Sequence, residues 1–174
     1  GAVVGDAAKQ RYNSLGIDLE EVKQSLLAVN NLALEGKPED MVITSHICRG
    51  NYHSTYFTSG PYDSVADYVF AKENVDALFL EYDDERSGGF APLAKVSPDK
   101  KVVLGLITTK TPELEDKKEV IERIHEAAKY IPLERLCLSP QCGFASCEIG
   151  NKLTEEQQWA KLKLVKEIAE EVWG

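Results

Sequence analysis

Long apolar runs are missing from this chain, and none approaches the ~18 residues of a membrane-crossing helix. The opening Gly1-Ala-Val-Val-Gly5-Asp6 lacks the basic start and apolar body of a secretory leader, so the cytoplasm is the expected compartment. Clustered lysine and arginine are missing too. With a formal net charge of −9, a nucleic-acid-binding face is excluded, because neutralising phosphates requires a basic one. Acidic stretches such as residues 167–171 read as solvated helix faces. No repeat, low-complexity tract or linker divides the 174 residues, which therefore read as one segment. Four cysteines make a poor disulfide framework for a cytoplasmic chain of this size, which turns attention to metal binding or catalysis.

What is present is ordinary for one globular body with a real core: 43% hydrophobic and 28% charged residues. Helix and strand alternate. Val22, Leu26, Val29 and Ala33 recur at helical spacing over residues 19–34, and Gly36 and Pro38 end that helix before an apolar strand at 41–46. A helix near 64–72 precedes a strand at 77–82. A third strand at 101–107 leads to a helix that opens on Thr111-Pro112 and runs to about 129, with Leu114, Ile121, Ile124 and Ala128 as its inner face. A fourth strand spans 133–139. The last helix opens on the capping-box pattern Thr154-Glu-Glu-Gln157 and runs to 172, with Leu162, Val165, Ile168 and Ala169 inward.

Strand followed by helix, four times, implies parallel strands joined by right-handed crossovers, an α/β fold. Strands this apolar need cover on both faces. A complete (β/α)8 barrel takes ~250 residues, so four β/α units amount to half of one. A half barrel leaves strand edges open and is expected to self-associate as a homo-oligomer or to belong to a longer chain.

His46, Cys48, Glu81 and Cys142 all fall at or just beyond the C-terminal ends of these strands, where parallel α/β folds gather their active sites. Two thiolates, an imidazole and a carboxylate form a soft tetrahedral set that suits Zn2+ far better than Mg2+ or Ca2+. Glu81 adds weight, since a carboxylate closing an apolar strand needs a partner if it is buried. Cys137, inside a strand, reads as packing. Cys147 is not needed to complete the set. His53 and His125 have no partner in the sequence and read as structural or surface residues.

The segments Ser45-His-Ile-Cys-Arg-Gly50, Phe79-Leu-Glu-Tyr-Asp-Asp-Glu-Arg86, Gly105-Leu-Ile-Thr-Thr-Lys-Thr-Pro112 and Leu138-Ser-Pro-Gln-Cys-Gly-Phe144 resemble, in order, the catalytic barrel of the cobalamin-independent methionine synthase family, and more closely its short single-barrel relatives. The resemblance implies the C-terminal half of a (β/α)8 TIM-like barrel, with the upstream strands outside residues 1–174. It implies zinc held by His46, Cys48, Glu81 and Cys142. The implied activity is that of a 5-methyltetrahydropteroyltriglutamate-homocysteine S-methyltransferase, moving a methyl group from methyl-folate to the thiol of homocysteine, with half a barrel inactive by itself.

Lys110 stands where the long enzymes place a proton-donating histidine, which makes it the candidate catalytic residue, although a lysine in such a loop faces solvent by default. Asp83, Arg86 and Arg49 are the candidate substrate contacts. Two alternatives share these residues: a related thiol alkyltransferase with another donor or acceptor, and an inactive α/β fragment whose zinc only holds strands together.

Overall fold

The computed structural model describes residues 6–174; the Gly1–Gly5 stretch read above for a leader lies outside them. Two helices open the described chain, α1 (Asp6–Ser14) and α2 (Leu19–Ala33). Asp18 caps α2 by accepting from the Glu20 amide. Then come β1 (Thr44–Ile47), α3 (Asp63–Val65) continuing into a π-helical turn (Ala66–Phe70), β2 (Ala77–Glu81), β3 (Lys101–Ile107), α4 (Lys117–Ala127), β4 (Leu136–Pro140) and α5 (Glu155–Trp173). Among the described residues no helix is long and apolar enough to cross a membrane.

The four strands form one sheet in the order β1-β2-β3-β4, every pair parallel. The α/β expectation of four parallel strands therefore holds, with two 3-10 turns (Glu85–Ser87 and Ala91–Lys95) in place of a helix between β2 and β3. Period-two alternation gives the sheet two unlike faces. Leu78, Leu80, Val102, Leu104 and Leu136 point to the helix-covered side and are buried there with Ile124, Leu164 and Ile168. Thr44, His46, Phe79, Glu81, Gly105 and Ser139 lie on the other side, which carries no helix among the described residues.

Three boundaries and the facing of one helix differ from the sequence reading. The first strand begins at Thr44, because Asp76 accepts from the Ile43 amide and Met41 closes a turn on Pro38. Helix α4 starts six residues later than its Thr111-Pro112 signal: Asp116 caps it by accepting from the Lys118 and Glu119 amides, and Leu114 is left exposed. A short 3-10 turn (Leu133–Arg135) precedes β4. Leu26, Val29 and Leu32 of α2 are exposed, so that helix's apolar stripe turns away from the core of this chain. The α5 capping box forms as expected between Thr154 and Gln157, and Ile168 is buried as expected, although Leu164 is buried where Leu162 and Val165 are only partly so.

Two features position the strand ends. Gly105 faces a crossing of main chains, where a Cβ would stand 2.7 Å from Gln141 Cα and 2.8 Å from the Leu80 carbonyl oxygen. The β3–β4 register also shifts between Gly105 and Ile107, so β4 bends across β3 just before Cys142. Buried Tyr62 joins β1 to β2: its hydroxyl lies 3.3 Å from both the Ile47 and Glu81 carbonyl oxygens and accepts from the Glu81 amide at 2.8 Å. Burial pushes its pKa up to about 12, so the phenol stays protonated.

Candidate metal centre

The four candidate ligands reach the site from the ends of three strands or from the turns beyond them. His46 is the penultimate residue of β1, Cys48 follows that strand, Glu81 closes β2, and Cys142 lies two residues past β4. One ligand atom from each of these four residues lies within 4.8 Å of all the others. The Cys48 and Cys142 sulfurs are 4.0 Å apart, close to the edge of a tetrahedron built on metal–sulfur bonds of ~2.3 Å.

His46 Nδ1 is 3.1 Å from the Phe79 carbonyl oxygen. A carbonyl only accepts, so Nδ1 carries the proton in the neutral ring and Nε2 presents a lone pair. Nε2 lies 3.8 Å from Glu81 Oε1.

Glu81 is 0% exposed. Its Oε2 accepts from the Arg49 amide at 3.0 Å, while Oε1 has no hydrogen-bond partner among the described residues. Burial, and next the neighbouring Cys48, raise its pKa. A buried carboxylate oxygen left unpaired costs on the order of 1–3 kcal/mol or more, which a cation bound at this point would recover.

The hydrogen bond with Cys48 brings the pKa of Cys142 down to about 6, helped by the Gly143 amide and the charge of Lys110. The same contact raises Cys48. One sulfur is thus poised as thiolate while the other holds the shared proton. The pairing with Cys48 also raises His46. Two sulfurs, a ring nitrogen and a carboxylate oxygen converging on one point fit a soft, four-coordinate divalent cation. His46 and Cys142 also line an open concavity of about 410 Å³ on the helix-free face, with Thr44, Phe79 and Gln141.

The remaining candidates divide. Arg86 has a buried side chain whose Nη2 stands 2.8 Å from Asp83 Oδ1 and 3.7 Å from Glu81 Oε2, and a further bond joins it to Asp84. Asp83 Oδ2 and Arg86 Nε are buried without partners among the described residues. Arg49, the other expected substrate contact, lies inside the scaffold. It is 1% exposed, its guanidinium donates to the Glu81 and Gly60 carbonyl oxygens and lies 3.9 Å from the Tyr62 ring centre, so it braces the scaffold.

Lys110 does not face solvent: it is 8% exposed, and its Nζ donates to Asn51 Oδ1 at 3.0 Å. Burial lowers its pKa. Cys147 is exposed and Cys137 half-buried on the helix-free face; neither joins the cluster. His53 Nδ1 lies 3.2 Å from the Gly150 carbonyl oxygen, and His125 is an exposed residue of α4.

The sequence reading missed an amide network behind the cluster. Thr109 donates through its amide and hydroxyl to Gln141 Oε1, and its hydroxyl also lies 3.0 Å from the Gly143 carbonyl oxygen. Asn51 donates to the same Gly143 oxygen at 2.7 Å, and Asn151 donates to the Thr109 carbonyl oxygen at 2.8 Å.

Residues 23–171 match the family described as cobalamin-independent synthase, catalytic domain. Two Bacillus subtilis (strain 168) relatives, the uncharacterized proteins YxjG and YxjH, are each 52% identical, over 165 and 169 residues. The alignments cover 94% and 97% of this chain but 44% and 45% of those proteins, so the chain spans less than half their length. A Listeria monocytogenes structure, provisionally described as a vitamin-B12 independent methionine synthase, superposes with a TM-score of 0.71 at 42% identity, over 91% of this chain and 43% of the other. A B12-independent methionine synthase from Shewanella sp. W3-18-1, solved in complex with selenomethionine, shares the fold with a TM-score of 0.70 at 22% identity, over 95% of this chain and 51% of the other.

Proposed function

The chain belongs to the cobalamin-independent synthase catalytic-domain family, and from that premise we propose that it carries the zinc-binding part of an enzyme that methylates the thiol of homocysteine, with a methyl-folate as donor. The observation that carries the proposal is the convergence of His46, Cys48, Glu81 and Cys142 within 4.8 Å of one another at the ends of three strands.

These four residues would hold the metal. Zinc at this point would supply the Lewis acidity that keeps a substrate thiol deprotonated at neutral pH. In the overall reaction a bond forms between the homocysteine sulfur and the methyl carbon, the bond from that carbon to the donor nitrogen breaks, and the nitrogen gains a proton. The protein's own groups divide the remaining work. The Phe79 carbonyl orients His46, and the Arg49 amide together with the Arg86 guanidinium steadies Glu81. Buried Arg86 and Asp83 carry an unpaired N–H and an unpaired carboxylate oxygen, the pair of groups suited to the carboxylate and ammonium of an amino acid. Lys110 is assigned the proton: its Nζ is held beside the cluster, with a pKa lowered by burial toward the range where an ammonium gives up a proton more readily.

The four units are proposed to be half of a (β/α)8 barrel. The share of each relative covered, the unpaired outer edges of β1 and β4 and the helix-free sheet face all support this. Elemental analysis of the purified chain, with methyl-transfer assays on the chain alone and on a full-length polypeptide containing it, tests the proposal. The expected result is one zinc per chain in both, and activity only in the longer one. A chain that retains no zinc through dialysis, or a zinc-loaded full-length protein that leaves homocysteine unmethylated, would refute it.

A further inference from the structure

We propose that Asn51 and Asn151 are positioning residues that set the spacing of the two sulfurs, and thereby the affinity of the centre for a thiophilic divalent cation. The inference rests on reading His46, Cys48, Glu81 and Cys142 as a metal centre, and it concerns residues that bind no metal themselves.

The carboxamide of buried Asn51 is saturated. Its Oδ1 accepts from Lys110 Nζ at 3.0 Å and from Asn151 Nδ2 at 2.9 Å; its Nδ2 donates to the Gly143 carbonyl oxygen at 2.7 Å and to Ser146 Oγ at 2.8 Å. A primary amide offers two donors and two acceptor sites, and all are used. The orientation is unambiguous as well: an ammonium can only donate and a carbonyl can only accept, so oxygen must face Lys110 and nitrogen Gly143.

The partners identify the function. Gly143 follows Cys142, and Asn51 is three residues beyond Cys48, so one side chain pins the turn carrying one sulfur to the loop carrying the other. Asn151 braces the pin from the β3 side. Its Nδ2 also donates to the Thr109 carbonyl oxygen at 2.8 Å, its Oδ1 accepts from the Ser54 amide at 2.9 Å, and its own amide donates to the Phe144 carbonyl oxygen at 2.9 Å. The loops after β1, β3 and β4 are thus locked together through two asparagines. Thr109 also meets the residues flanking Cys142, through its hydroxyl on Gly143 and its amide and hydroxyl on Gln141, but those bonds join the β3 loop to the β4 turn and do not reach the loop that carries Cys48. Such outer contacts typically carry a 10- to 100-fold effect on metal affinity.

The test is a Co2+ titration of the metal-free chain, followed by thiolate-to-cobalt charge-transfer absorption and by competition with a chelator. Asn51→Asp keeps the shape and the Lys110 contact but loses both donors, placing an oxygen against the Gly143 carbonyl. Asn151→Ala leaves Asn51 in place without its brace, and carries the same test should Asn51→Asp unfold. Circular dichroism and melting monitor the fold. The expected result is a roughly 10- to 100-fold loss of Co2+ affinity in Asn51→Asp, with weakened charge-transfer absorption, and a smaller loss in Asn151→Ala. Folded variants with wild-type affinity and spectrum would overturn the clamp alone. A wild-type chain that shows no charge-transfer band would instead overturn the metal-centre reading beneath it.

Discussion

Cys48 Sγ and Cys142 Sγ lie 4.0 Å apart across 94 residues of sequence, although they follow the two outermost strands of the sheet. Three strand spacings in a flat sheet would separate β1 from β4 by about 14 Å. The strand ends close that gap, and the sulfurs meet beside Glu81 at the end of β2.

Removing metal should therefore loosen two distant parts of the chain at once. Chelator is expected to lower Tm, and zinc at a hundred times its Kd to add about 2.7 kcal/mol. Cys48→Ser and Cys142→Ser should each abolish that gain, whereas Cys137→Ser and Cys147→Ser should keep it. Melting curves with and without zinc check this, and a zinc-induced shift surviving in Cys142→Ser would remove that sulfur from the ligand set.

Gly105→Ala should cost about 1–3 kcal/mol, the usual penalty for forcing atoms into a packed interior. The new Cβ would meet Gln141 Cα and the Leu80 carbonyl oxygen, both main-chain groups with no room to yield. Gly89→Ala is the control: its Cβ meets nothing within 4 Å, and a change within ±0.5 kcal/mol is expected. Urea denaturation of both variants gives the comparison.

Arg49→Lys retains the charge but cannot serve the Glu81 and Gly60 carbonyl oxygens together while stacking on Tyr62. A loss of about 1–3 kcal/mol is expected, with zinc stoichiometry at saturation unchanged. A variant as stable as the parent would refute the bracing role of Arg49.

Acid should erase the contribution of Asp76. The Ile43 amide, and next Lys37, hold its carboxyl below the ordinary carboxylate range. A depressed pKa means that the folded state favours the ionised form. The stabilisation is therefore present above the unfolded value of about 3.9 and is lost as pH falls through the folded one. Tm of Asp76→Asn should lie below that of the parent at neutral pH and converge with it in acid. A gap that persists unchanged at the lowest pH would show that Asp76 acts through packing instead of charge.

Much of this arrangement is legible in the sequence because buried parallel strands leave a strong mark: Lys101–Ile107 matches its apolar run end to end. Local signals failed where a distant partner decided the outcome. Thr111-Pro112 has the form of a helix start, yet Glu115 accepts from the Thr108 amide and pairs with Lys161 of α5, which holds that stretch as a loop until Asp116. The apolar stripe of α2 marks a helix correctly but does not say what the stripe faces. The four ligand candidates could be chosen because sulfur, imidazole and carboxylate at strand ends are chemically distinctive. Asn51, Thr109, Gln141 and Asn151 have no such mark. Their side-chain bonds span from 32 to 100 residues and exist only once the loops are in place.

The two-faced sheet has one more consequence, for fidelity during folding. Slipping β2 by a single residue against its neighbours would exchange its faces, burying the Glu81 carboxylate among leucines and presenting Leu80 to the sulfurs. The leucines and valines of the helix-covered side forbid that slip. Residues that never approach the chemistry thus act as its proofreader, rejecting each misaligned sheet before a metal could test it.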